Sequence, residues 1–298
     1  MSSRPATRVP CREPGCAAET ASRRDVLRWL FASAAAASGC HLPKREDPAL
    51  TVSLPSRYSV LSEQLVIQSD FKLAHDHPLI LDLQKLKQDV ATTLGLKFDG
   101  PPVVIYLFSN EQSYSDYLIS TWPNLPYRRA YFFGNPHELA VYTFWGEKVQ
   151  EDLRHEFTHG LLNSTLQNIP LWLDEGLAEY FEVPGNPGTV KPAVVQRLGQ
   201  ALANGWQPDM KALEGLTDVT TMTQSNYEEA WAWVHLLLHS QSTQREVLLD
   251  YLQSLQQPRY PGNLSHQLDA VGVRSNLRFT GHVAALSSFG AQTALTPR

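Results

Sequence analysis

Strand-like alternation fills the first half of the chain's patterned region, and helical stripes fill the second. Over residues 58–71 apolar and polar positions alternate, which predicts one or two strands. Over 78–94 the apolar residues Leu79, Leu83, Leu86, Val90 and Leu94 follow spacings of 4, 3, 4 and 4, the stripe of an amphipathic helix. Residues 102–108 end in Val-Val-Ile-Tyr-Leu-Phe, a run of β-formers that predicts a buried strand. A helix over 111–119 follows, then strands over 130–133 and 139–144, with Gly134-Asn135-Pro136 as turn chemistry between them.

From residue 149 onward the pattern is helical. Helices are expected over 149–166 and 171–182, separated by Asn168-Ile169-Pro170, with the proline opening the second. Pro184-Gly185-Asn186-Pro187-Gly188 predicts a loop, and further helices are expected over 194–203, 226–238 and 244–255. Beyond Pro258 the signal falls to a short helix at most and a loose, weakly structured extension over 258–298. Strands first and helices after predict one α+β domain over 57–257.

The first 39 residues stand apart from this pattern. They hold six Arg against three acids, so the remainder carries −8 where the whole chain carries −5. Ser22-Arg23-Arg24-Asp25-Val26-Leu27-Arg28 is a twin-arginine pattern, followed by an apolar run from Trp29 to Ala37 and then Ser38-Gly39-Cys40. That run is shorter than the ~20 apolar residues a permanent membrane span needs. It resembles a twin-arginine export signal joined to a lipoprotein box, which makes Cys40 the lipidated first mature residue and residues 40–56 a polar, Pro-bearing tether. A cell-envelope lipoprotein is therefore expected, with its membrane contact through the anchor at Cys40. Cys11 and Cys16 fall in the part to be removed, so no disulfide framework is expected. The mild acidity offers no basic surface for nucleic acid.

His155-Glu156-Phe157-Thr158-His159 is an H-E-x-x-H motif inside a helical pattern. Four residues advance a helix by about 400°, so both imidazoles project from one face and can reach one ion at about 2.0–2.1 Å. Glu156 lies beside them, placed to act as general base without ligating. A catalytic zinc needs a third protein ligand and an open position. Glu175, on the next expected helix, is assigned as that ligand. Glu179, one turn on, is expected to accept the outer N–H of a ligand histidine. Two imidazoles and a carboxylate leave one zinc per chain with a net charge near +1, enough to bring a bound water's pKa towards ~7.

Together with Leu171-Trp172-Leu173-Asp174-Glu175-Gly176-Leu177-Ala178-Glu179-Tyr180, the motif resembles the gluzincin metallopeptidases. It is most similar to their peptidase MA-like, exported bacterial branch. The resemblance implies a thermolysin-like catalytic domain, a mixed sheet packed on an active-site helix pair, whose edge strand binds an extended peptide. It matches His155, His159 and Glu175 to the zinc ligands and Glu156 to the base. No Gly-Ala-Met-Glu-Asn segment of the aminopeptidases is present, which points to an endopeptidase acting on peptide or protein substrates. Gluzincins also need an oxyanion donor. Tyr227 is the candidate and His235 the second, although Tyr227, Trp231, Val234 and Leu238 also form one core-like stripe. Two other readings stay open: a zinc hydrolase of another amide, such as a cell-wall peptide link, and a non-catalytic zinc-binding scaffold. His235 and His239 repeat the four-residue spacing without a central Glu and are expected at a helix edge. Asp152 and Arg154 are expected as surface charges flanking the motif.

Overall fold

The computed structural model describes residues 53–135, 137–239, 242–272 and 275–293. The export signal, Cys40 and the tether as far as residue 52 lie outside the described residues. The alternating segment folds as a hairpin of β1 (Tyr58–Ser62) and β2 (Leu65–Ser69), which buries Val60, Leu65 and Ile67. β2 runs parallel to β3 (Val103–Phe108), and β3 parallel to β5 (Leu139–Phe144). Parallel neighbours need crossovers. The first crossover contains α1 (Pro78–Leu94), capped by His77 and closed by Gly95 at φ +65°. The second contains α2 (Glu111–Thr121), capped by Asn110, and then β4 (Ala130–Gly134). β4 pairs antiparallel with β5, completing a mixed sheet in the order β1-β2-β3-β5-β4 with β4 at one edge.

The sheet is covered on both faces because its side chains alternate between two cores. Ile67, Ile105, Leu107 and Val141 join the main apolar core with α1 and the later helices. Phe108, Tyr131, Ala140 and Tyr142 meet Tyr114 and Leu118 of α2 in a smaller, mostly aromatic cluster. Leu54, within the segment expected as tether, already packs against that second cluster.

α3 (Val149–Thr165) lies across the sheet beneath β3, β4 and β5 and packs on α4 (Leu171–Phe181). Two glycines set how closely these helices approach. A Cβ at Gly160 would come within 2.7 Å of both Val103 methyls, so its absence lets α3 settle on the sheet. A Cβ at Gly176 would come within 2.7 Å of the Ala230 carbonyl oxygen, so α4 can cross α7 (Gln224–His239) almost backbone to backbone. α4 is buried nearly all round, Asp174 and Glu175 included. Such a helix belongs in the interior, and acids inside one need partners.

Between α4 and α7 come α5 (Pro192–Ala203), α6 (Met210–Glu214) and a short 3-10 turn (Val219–Thr221). After them come α8 (Ser242–Ser254), α9 (Leu264–Ala270) and α10 (Ser275–Thr293). The last two correct the expectation of a loose end. α10 packs on α5 and α7 and buries Phe279, Val283 and Leu286. Three apolar anchors among Gly281, Ser287 and Ser288 make a faint stripe, and tertiary burial overrides that weak local preference. The protein is thus α+β, with its helical layer extending well past residue 257. No helix among the described residues is long and apolar enough to cross a membrane.

Candidate metal centre

His155 and His159 leave α3 on one side, with ring centroids 4.9 Å apart and planes at 74°. The chain then turns through residues 166–170, with Asn168 in the left-handed region at φ +53°, and α4 brings Glu175 back against the pair. One carboxylate oxygen, Oε2 of Glu175, lies 3.6 Å from His155 Nε2 and 3.4 Å from His159 Nε2. Ligands held tetrahedrally at 2.0–2.1 Å from one zinc sit about 3.3 Å from each other. The three donor atoms therefore have the separations a zinc ion requires.

The outer nitrogens settle which way the lone pairs face. His155 Nδ1 lies 3.0 Å from Glu182 Oε2, and His159 Nδ1 lies 2.8 Å from Asp174 Oδ1. A carboxylate can only accept, so each Nδ1 carries the hydrogen and Nε2 is turned to the centre. Asp174 is fully buried and Glu175 nearly so. Burial alone would depress His155, but the hydrogen bonds it makes to Glu175 and Glu182 outweigh it and hold the imidazole well above its ordinary value. His159 is pushed up to about 9 against the same burial by the charges of Asp174 and Glu175. Burial opposes ionisation of Glu175 too, yet the two imidazoles take it well below the usual carboxylate range. The cluster is built to hold positive charge between its inner nitrogens and Glu175.

Glu179 departs from expectation. Its carboxylate accepts from Lys191 Nζ at 2.5 Å, while Glu182 and Asp174 take the histidine N–H groups. Glu179 shares a helix face with Glu175, but the two outer nitrogens point to either flank of that face. They find the residue before Glu175 and the residue just past the helix end. His155, Glu179 and Glu182 do bring ligand atoms within 4.8 Å of one another, yet Lys191 already bridges both acids. The group of His155, His159 and Glu175 is the better candidate for a metal.

Arg154 is not a surface charge. It is buried, and its Nε donates to the carbonyls of Phe181 and Glu182 at 3.0 and 3.1 Å while Nη1 reaches Asp82 of α1 at 2.9 Å. It ties the end of α4, and with it Glu182, to the turn of α3 that carries His155. Asp152 does sit nearer the surface, gripped by both arms of Arg129.

A cavity of about 390 Å³ opens beside His155, Glu156 and Glu182, walled opposite by residues 127–130 leading into β4. Glu156 is partly buried in its wall, and that burial raises its carboxyl above the ordinary range, with the two imidazoles opposing the rise. Tyr227 sits in the first turn of α7, partly buried, and is not among the residues lining this cavity. Trp231, Val234 and Leu238 of its stripe are buried. His235 is also turned away, bonded to the Gly188 carbonyl at 3.1 Å and to His282 at 2.9 Å. The site residues that sequence reasoning missed are Asp174 and Glu182. The one available signal was that both are acids flanking Glu175 on or beside an apolar helix. No family model and no curated protein matches the chain.

Proposed function

We propose that this protein is a zinc-dependent peptidase of the gluzincin type, with a thermolysin-like arrangement of its catalytic domain. The carrying observation is the convergence of His155 Nε2, His159 Nε2 and Glu175 Oε2 at zinc-ligand separations, with both outer nitrogens held by carboxylates. The chemistry a zinc ion supplies when bound there is Lewis-acid polarisation of a carbonyl and acidification of water. Glu156 takes the proton of the attacking water and passes it to the leaving amine, a role that its raised basicity in the cavity wall suits. Asp174 and Glu182 hold the imidazoles in one tautomer, and Arg154 holds Glu182 in place. The side of edge strand β4 that is unpaired among the described residues, next to α3, supports an extended peptide added to the sheet.

Digestion of a mixed peptide library by zinc-loaded wild type, by Glu156→Gln and by chelator-treated protein tests the reading. Cleavage should appear only in the first. Cleavage that persists unchanged in Glu156→Gln would overturn the mechanism. An intact library alongside cleaved cell-wall peptides would move the substrate to another amide. We further propose export with a lipid anchor at Cys40, supported by Arg23, Arg24 and the small residues before Cys40. Membrane association should disappear in Cys40→Ser.

A further inference from the structure

Two arginines of the segment that leads into β4 line the cavity beside Glu156. Arg129 is committed, its Nε and Nη2 forked onto the two oxygens of Asp152 at 2.9 and 2.6 Å. Arg128 is not. Among the described residues its guanidinium has no ion-pair or hydrogen-bond partner, and it lies over the Tyr131 ring, 6.0 Å from Cζ to the ring centre. The other acids of the cavity are already taken: Glu182 by Lys191 and His155, Asp152 by Arg129, and Glu151 by Lys148. Glu156 lines the same cavity as Arg128, and the two share no hydrogen bond. The cavity thus presents, among the described residues, one uncommitted guanidinium in the same lining as the general base.

Arg128 is exposed, so water solvates it while the cavity is empty. A substrate covering the cavity removes that water, and a planar guanidinium is then best satisfied by a group that accepts two parallel N–H bonds, a carboxylate. A peptide laid along the free edge of β4 would run past Arg128, two residues before Ala130 begins that strand. We propose that Arg128 is a specificity-determining residue that grips a carboxylate of the substrate next to the scissile bond. That carboxylate is either the α-carboxylate of a chain end or an Asp or Glu side chain. The inference rests on the peptidase reading, which it refines.

The test measures binding as well as turnover. Glu156→Gln protein, alone and combined with Arg128→Gln or Arg128→Lys, is titrated calorimetrically with two matched peptide pairs. One pair is an acetylated oligoalanine as free acid or amide. The other is an amidated oligoalanine carrying a central Glu or Gln. Zinc content is measured on the same samples. The carboxylate member of one pair should bind about tenfold or more tighter than its neutral partner, and that pair identifies the source of the carboxylate. Arg128→Gln should erase the difference and Arg128→Lys should keep part of it, with zinc content unchanged in both. No carboxylate preference in the parent, or a preference undiminished in Arg128→Gln, would overturn the inference. Carboxylate-selective binding without any cleavage by zinc-loaded wild type would uphold Arg128 and sink the peptidase reading. Cleavage indifferent to carboxylates would do the reverse.

Discussion

Two helices of this protein carry histidines four residues apart, and their surroundings send them to opposite fates. His155 and His159 stand at 74° to each other with acids at every nitrogen: Glu175 at the inner pair, Glu182 and Asp174 at the outer. His235 and His239 stack nearly parallel, 4.2 Å apart at 13°. Their partners are the Gly188 carbonyl, His282 and the Tyr180 hydroxyl. Acids raise the first pair, whereas burial chiefly lowers the second, His235 to about 3. Spacing places two imidazoles on one helix face, and the neighbouring helix decides their use. α4 presents acids to the first pair, whereas the partners of the second, with His235 buried and His239 exposed, carry no acid.

The comparison can be broken most severely at the base. Glu156→Gln preserves shape and leaves all three proposed ligands in place, so zinc should stay bound while kcat/KM falls by about 10²-fold or more. Next come the acids behind the histidines. Asp174→Asn and Glu182→Gln should each weaken zinc affinity by roughly 10–100-fold, read by competition with a metal indicator. The same change at Tyr180, Tyr180→Phe, should leave zinc affinity unchanged, because it touches only the second pair.

Acid pH should separate the pairs again. His235 is neutral in the fold with its pKa near 3, against about 6.5 when unfolded. The unfolded chain therefore binds the extra proton as pH falls below ~6.5, and stability is lost towards pH 3, by about 1.4 kcal/mol at pH 5.5 from this group. Urea titrations at pH 7.5 and 5.5 should show that loss in wild type and a smaller one in His235→Asn. An equal loss in both would place the acid sensitivity elsewhere. A small effect on turnover is expected for Tyr227→Phe, which should change kcat/KM by only a few-fold, since Tyr227 does not line the cavity. A fall near 10²-fold would instead assign its hydroxyl to the oxyanion.

Much of this was legible in the sequence because its signals are local. The stripe over 78–94 coincides with α1 (Pro78–Leu94), and the expected helices at 149–166 and 171–182 match α3 and α4 within a residue. The H-E-x-x-H spacing and a Glu on the following helix were enough to single out the three residues that come together. What was not legible depends on packing at a distance. Arg154 looks like one more charge beside the motif until α1 brings Asp82 to it from 72 residues away. Glu179 and Glu182 differ only in which flank of α4 meets His155, and no periodicity encodes that. α10 is held by burial of a few anchors rather than by a strong stripe, so its pattern read as a loose end.

Elemental analysis across the two histidine pairs is the most direct measurement of all. Purified protein, stripped with chelator and reloaded, should hold one zinc per chain in wild type and in His235→Asn, and none in His155→Ala or His159→Ala. Zinc absent from the wild type after loading, or retained in His155→Ala and lost in His235→Asn, would contradict the assignment of the metal to His155, His159 and Glu175.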